Sequence, residues 1–147
     1  MKADVPGGPY LLDTHVWIWY LDGAEDRLPR RVQDLLRAEA ASSGLLVSDI
    51  SVWEVGTKAA RGELRLMPSA AAWIERAGRQ PGLSFVPLDL PVLLGSTQLP
   101  GDLHGDPADR MLVSTAALAG VPLVTADEAI LDYAERVGGF AVVDARR

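Results

Sequence analysis

A chain of 147 residues, 48% apolar and 23% charged, can bury a substantial core and is not a disordered chain. It contains no cysteine, which excludes a disulfide framework, thiolate zinc sites and a cysteine nucleophile, and fits a reducing compartment. A formal net charge of −6 argues against a broad basic face for nucleic acid, while leaving room for a local basic rim around an acidic, metal-filled site.

Met1 to Pro9, with its prolines and glycines, reads as a loose lead-in. Tyr10-Leu11-Leu12-Asp13 then reads as a buried strand that carries Asp13 to its carboxyl edge, where open α/β sheets bind ligands. Thr14 to about Leu21 is a helix apolar nearly all round, hence deeply buried or covered by a partner, and Asp22-Gly23 ends it. Leu28-Pro29 opens a second helix, with Val32, Leu35, Leu36 and Ala40 at helical spacing. Leu45-Leu46-Val47 is a short strand. Ser48 caps a helix from Asp49 to about Arg61 that turns Val52, Trp53, Gly56 and Ala60 inward, with Gly62 as a stop.

Ser69 caps a further helix bearing Trp73 and Ile74 and ending near Gly78. Leu83 to Leu88 reads as a third strand, and Pro87 places it at a strand end or an edge. Pro91 to Gln98 is a short helix, followed by a polar loop to Gly105. Asp106-Pro107 is an N-cap and proline start for a helix running to Gly120. Pro122 to Thr125 is a fourth strand, Asp127 to about Arg136 a helix, and Phe140 to Val143 a last strand. The alternation predicts one α/β domain over residues 1–147, with a parallel sheet of about five strands covered on both faces. No stretch stays apolar for the roughly 18 residues a membrane span needs, and the start lacks a signal-peptide pattern, so a cytoplasmic location is expected.

Acids collect at the strand ends and helix starts of this scheme. Asp13 closes the first strand, Glu54 lies on the second turn after Ser48, Asp106 and Asp109 occupy one first helical turn, and Asp127 follows the fourth strand. Any one of them has a local reading as a cap or a dipole-compensating acid, and for Asp106, just before proline, capping is the better one. Glu54, set among Val52, Trp53 and Val55, is harder to explain that way. Together they suit a hard divalent cation, which takes oxygen ligands, lowers the pKa of a water and polarises a phosphoryl oxygen. Hydrolysis of a phosphodiester is the matching chemistry.

At these residues the chain resembles the PIN-domain ribonucleases, most closely the VapC-type toxins of bacterial toxin–antitoxin pairs. The resemblance rests on Leu-Leu-Asp13-Thr14-His15, on Ser51-Val-Trp53-Glu54-Val, on His104-Gly-Asp106-Pro-Ala-Asp109-Arg110-Met and on Leu-Val-Thr125-Ala-Asp127-Glu. Four motifs in order are specific where each alone is weak. Ala108 stands where many relatives have Phe, leaving the acid–arginine pair intact. The resemblance implies a PIN-like three-layer α/β/α sandwich and a metal-dependent endoribonuclease using Mg²⁺ or Mn²⁺. It further implies an RNA substrate, a dimeric state and a cognate antitoxin that covers the site. The catalytic, metal-holding acids then fall on Asp13, Glu54, Asp109 and Asp127, and a neighbouring hydroxyl on Thr14 or Thr125.

Lys58 and Arg110 are candidates to steady the phosphate, although Lys58 also sits one turn from Glu54 as an ordinary helix pair. Trp17 and Trp19 are candidates for a groove that takes an antitoxin peptide or a dimer mate, against ordinary core packing. His15 reads as structural rather than as a base, and His104 has no assignable role. A haloacid-dehalogenase-type phosphatase would want an aspartate where His15 stands. A receiver domain would want a lysine beyond Lys58, and there is none. A non-catalytic PIN-like binding module is the alternative from another class.

Overall fold

The computed structural model describes residues 5–24 and 26–146. Five strands, β1 (Tyr10–Leu12), β2 (Leu45–Ser48), β3 (Leu83–Val86), β4 (Leu123–Thr125) and β5 (Val142–Asp144), form one parallel sheet in the order β3-β2-β1-β4-β5. Around it lie α1 (Thr14–Asp22), α2 (Arg30–Ala40), α3 (Asp49–Ala60), α4 (Ala70–Gly78), α5 (Leu90–Thr97), α6 (Pro107–Ala119) and α7 (Glu128–Arg136). This is the expected three-layer α/β/α arrangement.

The unbroken apolar runs of the central strands follow from burial on both faces. Side chains of a strand alternate between faces, so Tyr10, Leu12 and Val124 join one core with Val16, Trp17, Leu36 and Trp73. Leu11 and Leu123 join the other core with Leu112, Val113, Ile130 and Tyr133. Both cores are continuous, so the sheet is a rigid floor for whatever its carboxyl edge carries.

Element ends depart from the sequence expectations for local reasons. β1 stops at Leu12; the Asp13 N–H still donates to the Val124 carbonyl at 3.0 Å, but the chain then turns into α1, which the Asp13 side chain caps. β3 is an edge strand that stops at Val86, just before Pro87, which has no N–H for the ladder. β5 begins two residues later than expected, since Gly138 and Gly139 turn the chain at φ 78° and 90° and Phe140 packs on Tyr133. Of the lead-in, residues 1–4 lie outside the described residues. The remainder has no regular structure, and the Pro6 carbonyl accepts the Tyr10 hydroxyl at 2.7 Å.

Two tryptophans sit opposite to expectation. Trp17 is 0% exposed, edge-on to Trp73 at 5.0 Å and to Phe85 at 5.9 Å, so it is core and cannot line a groove. Trp53, expected inward, is 61% exposed, because the inner stripe of α3 is formed by Ile50, Ser51 and Val55. Among the described residues no helix is long and apolar enough to cross a membrane.

Candidate active site

The carboxyl ends of neighbouring β1 and β4 carry Asp13 and Thr125. Asp13 does two jobs at once. Its Oδ1 accepts the Thr14 N–H at 2.7 Å and so caps α1, while its Oδ2 accepts the Thr125 hydroxyl at 2.6 Å. A hydroxyl has one proton to give. Thr125 therefore receives at its remaining lone pairs, where the Asp127 N–H arrives at 3.0 Å. Asp127 in turn caps α7, its Oδ1 accepting the Ile130 N–H at 3.0 Å. Capping therefore does not use these acids up, since one carboxylate oxygen serves the helix and lone pairs remain for the cleft.

Glu54 comes from α3, which Ser48 starts by accepting the Ile50 N–H at 3.1 Å. The Thr14 hydroxyl donates to Glu54 Oε1 at 2.6 Å and touches the buried Ser51 hydroxyl at 2.7 Å. With its proton committed to Glu54, Thr14 accepts from Ser51. Lys58, one turn along α3, lies 4.0 Å from Glu54 Oε2 and 3.5 Å from His15 Nε2.

From the other side α6 presents Asp109. Asp106 caps this helix, accepting the Asp109 N–H at 3.0 Å, as its place before Pro107 suggests. His104 completes the wall. Its Nδ1 accepts the Asp106 N–H at 3.2 Å, which leaves the ring proton on Nε2, 3.2 Å from Asp109 Oδ2. Ligand atoms of His104, Asp109 and Asp127 all lie within 4.8 Å of one another. With the proton so placed, His104 orients Asp109.

Asp13, Glu54, Asp106, Asp109 and Asp127 all line one cleft of about 380 Å³, with Lys58, His15, Arg27 and the half-buried Trp19 on its rim. Burial raises the Asp13 carboxyl pKa, opposed by the Thr125 hydroxyl, the nearby His15 and the Thr14 N–H, while Glu54 adds to the rise. Asp109 is pushed up to about 8, first by burial and then by the charges of Asp13, Asp106, Asp127 and Glu54. Such a cluster holds a proton or a cation. Hard oxygen donors at helix starts fit a divalent cation such as Mg²⁺ or Mn²⁺.

A wider depression of about 530 Å³ beside α7 and β5 is a poorer candidate. There Arg146 bonds Asp144 at 2.8 Å and holds its carboxyl below the usual range, so that charge is already met.

All four sequence-predicted acids and Lys58 therefore meet in the cleft, and Thr14 and Thr125 stand just behind them. Arg110 does not join them. Its guanidinium donates to the carbonyls of Ser96 and Leu103, both at 2.9 Å, and fastens the loop before α6. Sequence reading missed His104 and Arg27. The only trace of the first is the His-x-Asp spacing ahead of the cap, and nothing in the pattern marks the second.

A family profile described as the PIN domain matches residues 10–136. Ribonuclease VapC22 of Mycobacterium tuberculosis (strain ATCC 25618 / H37Rv) is 30% identical over 124 residues, covering 84% of this chain and 90% of that protein. Among solved structures, VapBC2 from Rickettsia felis bound to a DNA fragment from the promoter superposes with a TM-score of 0.68 at 14% identity, over 92% of this chain and 97% of the other. DNA-bound VapBC from Salmonella typhimurium gives 0.66 at 23% identity, over 92% and 96%. At these identities the two structures speak for the fold.

Proposed function

The chain belongs to the PIN-domain family, and on that premise we propose that it is a metal-dependent endoribonuclease, the toxin of a toxin–antitoxin pair. The observation that carries this reading is the convergence of four acids from four separate segments on one cleft, with Asp109 pushed up to about 8. Its relative is named a ribonuclease, and its structural neighbours are toxin–antitoxin complexes.

Asp13, Glu54, Asp109 and Asp127 would hold Mg²⁺ or Mn²⁺. When bound, such an ion supplies a water that is acidic at neutral pH and charge to offset the phosphoryl oxygens. The chain's own groups prepare the place. Thr14 and Thr125 donate to Glu54 and Asp13 and fix the two carboxyl groups in place. His104 orients Asp109, and Lys58 offers its ammonium to the phosphate from the rim. An antitoxin segment laid over this rim would meet Trp19 beside His15, at 5.8 Å between rings. Leu90, Leu94 and Leu118, each more than half exposed on α5 and α6, support a homodimer through that face. An RNA substrate fits action in the cytoplasm.

The test is incubation of the purified protein with total RNA and mapping of the ends. Cleavage is expected with Mg²⁺ or Mn²⁺ and lost with EDTA or in Asp13→Asn. Unchanged cleavage under both treatments overturns the mechanism.

A further inference from the structure

Helix α3 presents two adjacent stripes toward the cleft. Glu54, Lys58 and Arg61 follow one another at helical spacing, and beside them Trp53, Thr57 and Arg61 do the same. Trp53 is 61% exposed, although an indole is among the most valuable groups to bury. It lines a slot of about 200 Å³ whose outer walls are Thr57, Lys58, Arg61, Pro107 and Ala108, with Glu54 and Asp106 on its inner side. Glu54, Lys58 and Asp106 border both this slot and the carboxylate cleft, so the two are continuous.

We propose that this slot is a nucleobase subsite. The base next to the scissile phosphate stacks on the Trp53 indole, and Arg61 faces the adjoining phosphate. The inference rests on the RNA-cleaving reading and adds to it where the strand leaves the cleft. Stacking needs one flat apolar wall and tolerates any base. The two carboxylates of the slot, Glu54 and Asp106, lie on the side it shares with the cleft, and Lys58 is 4.0 Å from Glu54, so Arg61 at the outer end is the cation that meets a phosphate there. Arg61 forms no ion pair among the described residues, so its charge is free for one. An apolar peptide would gain little from a slot whose apolar walls are chiefly Trp53 and Pro107.

The probe is a fluorescein-labelled, mixed-sequence RNA dodecamer with Ca²⁺ in place of Mg²⁺, read by anisotropy beside the same backbone carrying abasic positions. Trp53→Ala is expected to weaken binding of intact RNA by about five- to 100-fold, the range of one aromatic stack, and Trp53→Phe to recover most of it. Abasic RNA is expected to bind wild type and Trp53→Ala alike. The subsite is overturned if wild type binds abasic RNA as tightly as intact RNA, a result that needs no variant to fold. It is also overturned if Trp53→Ala binds intact RNA normally, and loss of a co-expressed antitoxin in that variant would then assign Trp53 to a protein partner. A wild type that neither binds nor cleaves RNA removes the underlying reading instead, whatever Trp53 does.

Discussion

The two walls of the carboxylate cleft meet buried negative charge by different means. On the β1 and α3 wall, Asp13 and Glu54 each receive a threonine hydroxyl at 2.6 Å. On the α6 wall, Asp109 has a 3.2 Å contact from a loop histidine, and its pKa is pushed up to about 8. On the first wall protein donors oppose, without cancelling, the rise that burial gives Asp13, whereas the second wall has fewer donors and more of its charge is left for a cation to meet. A preorganised half and an unfinished half together make a site that is rigid and yet strongly attractive to a metal ion.

Substitutions at four residues test that contrast. Asp13→Asn, on the preorganised wall, has the largest expected effect. RNA cleavage should drop by more than the roughly 100-fold that loss of an outer-shell partner can cost, with an unchanged circular dichroism spectrum. Thr125→Val comes next, because it removes the donor to Asp13 and the acceptor of the Asp127 N–H together. Cleavage should fall by about 10–100-fold. Each buried group left unpaired costs about 1–3 kcal/mol, and a melting temperature lowered by several degrees in differential scanning calorimetry would show it.

On the unfinished wall, His104→Ala should weaken Mn²⁺ binding in titration calorimetry by about tenfold, the low end of an outer-shell effect. His104→Gln, whose amide can still donate near the Nε2 position, should bind closer to wild type. Equal affinity in all three would separate His104 from the metal. Asp109→Asn has the smallest expected effect on the fold and the opposite sign. In the unfolded chain this carboxyl has the ordinary value near 3.8, and in the folded chain about 8. Between those values the folded, metal-free chain holds a proton that the unfolded chain has released, so stability falls as pH rises through that window. Asp109→Asn should therefore raise the metal-free melting temperature by a few degrees at pH 8, the scale of about 1 kcal/mol in a chain of this size. It should raise it less at pH 5, and abolish any further rise on adding Mn²⁺.

The sequence carried the order of elements and the four acids because both leave local signatures. Alternating buried strands and helices, a serine or aspartate at every helix start but that of α2, and acids at strand ends are all readable within a few residues. Direction of a side chain around a helix was less readable. The apolar character of Val52-Trp53 suggested burial, yet only the geometry of α3 against the sheet decides that Val55 turns in and Trp53 out. Trp17 and Trp53 were exchanged in role for that reason. Arg110 resembled a phosphate ligand by adjacency to Asp109, but neighbours on a helix point about 100° apart, and carbonyls of α5 and of the loop before α6 hold it. His104 acquires its role only when its loop folds over Asp109, a non-local event with no periodicity to announce it.

The Thr125 hydroxyl has a consequence for how such a protein can change. β1 and β4 are adjacent parallel strands, so the gap that this hydroxyl bridges is set by the strand spacing of about 4.8 Å. No loop has to hold it. The reactive geometry at the strand ends is in that sense inherited from the sheet, and the outer stripe of α3 and the part of the polar loop away from His104 are free to drift. A lineage could exchange one RNA target for another by altering only those outer surfaces, while the strand ends continue to fix the chemistry.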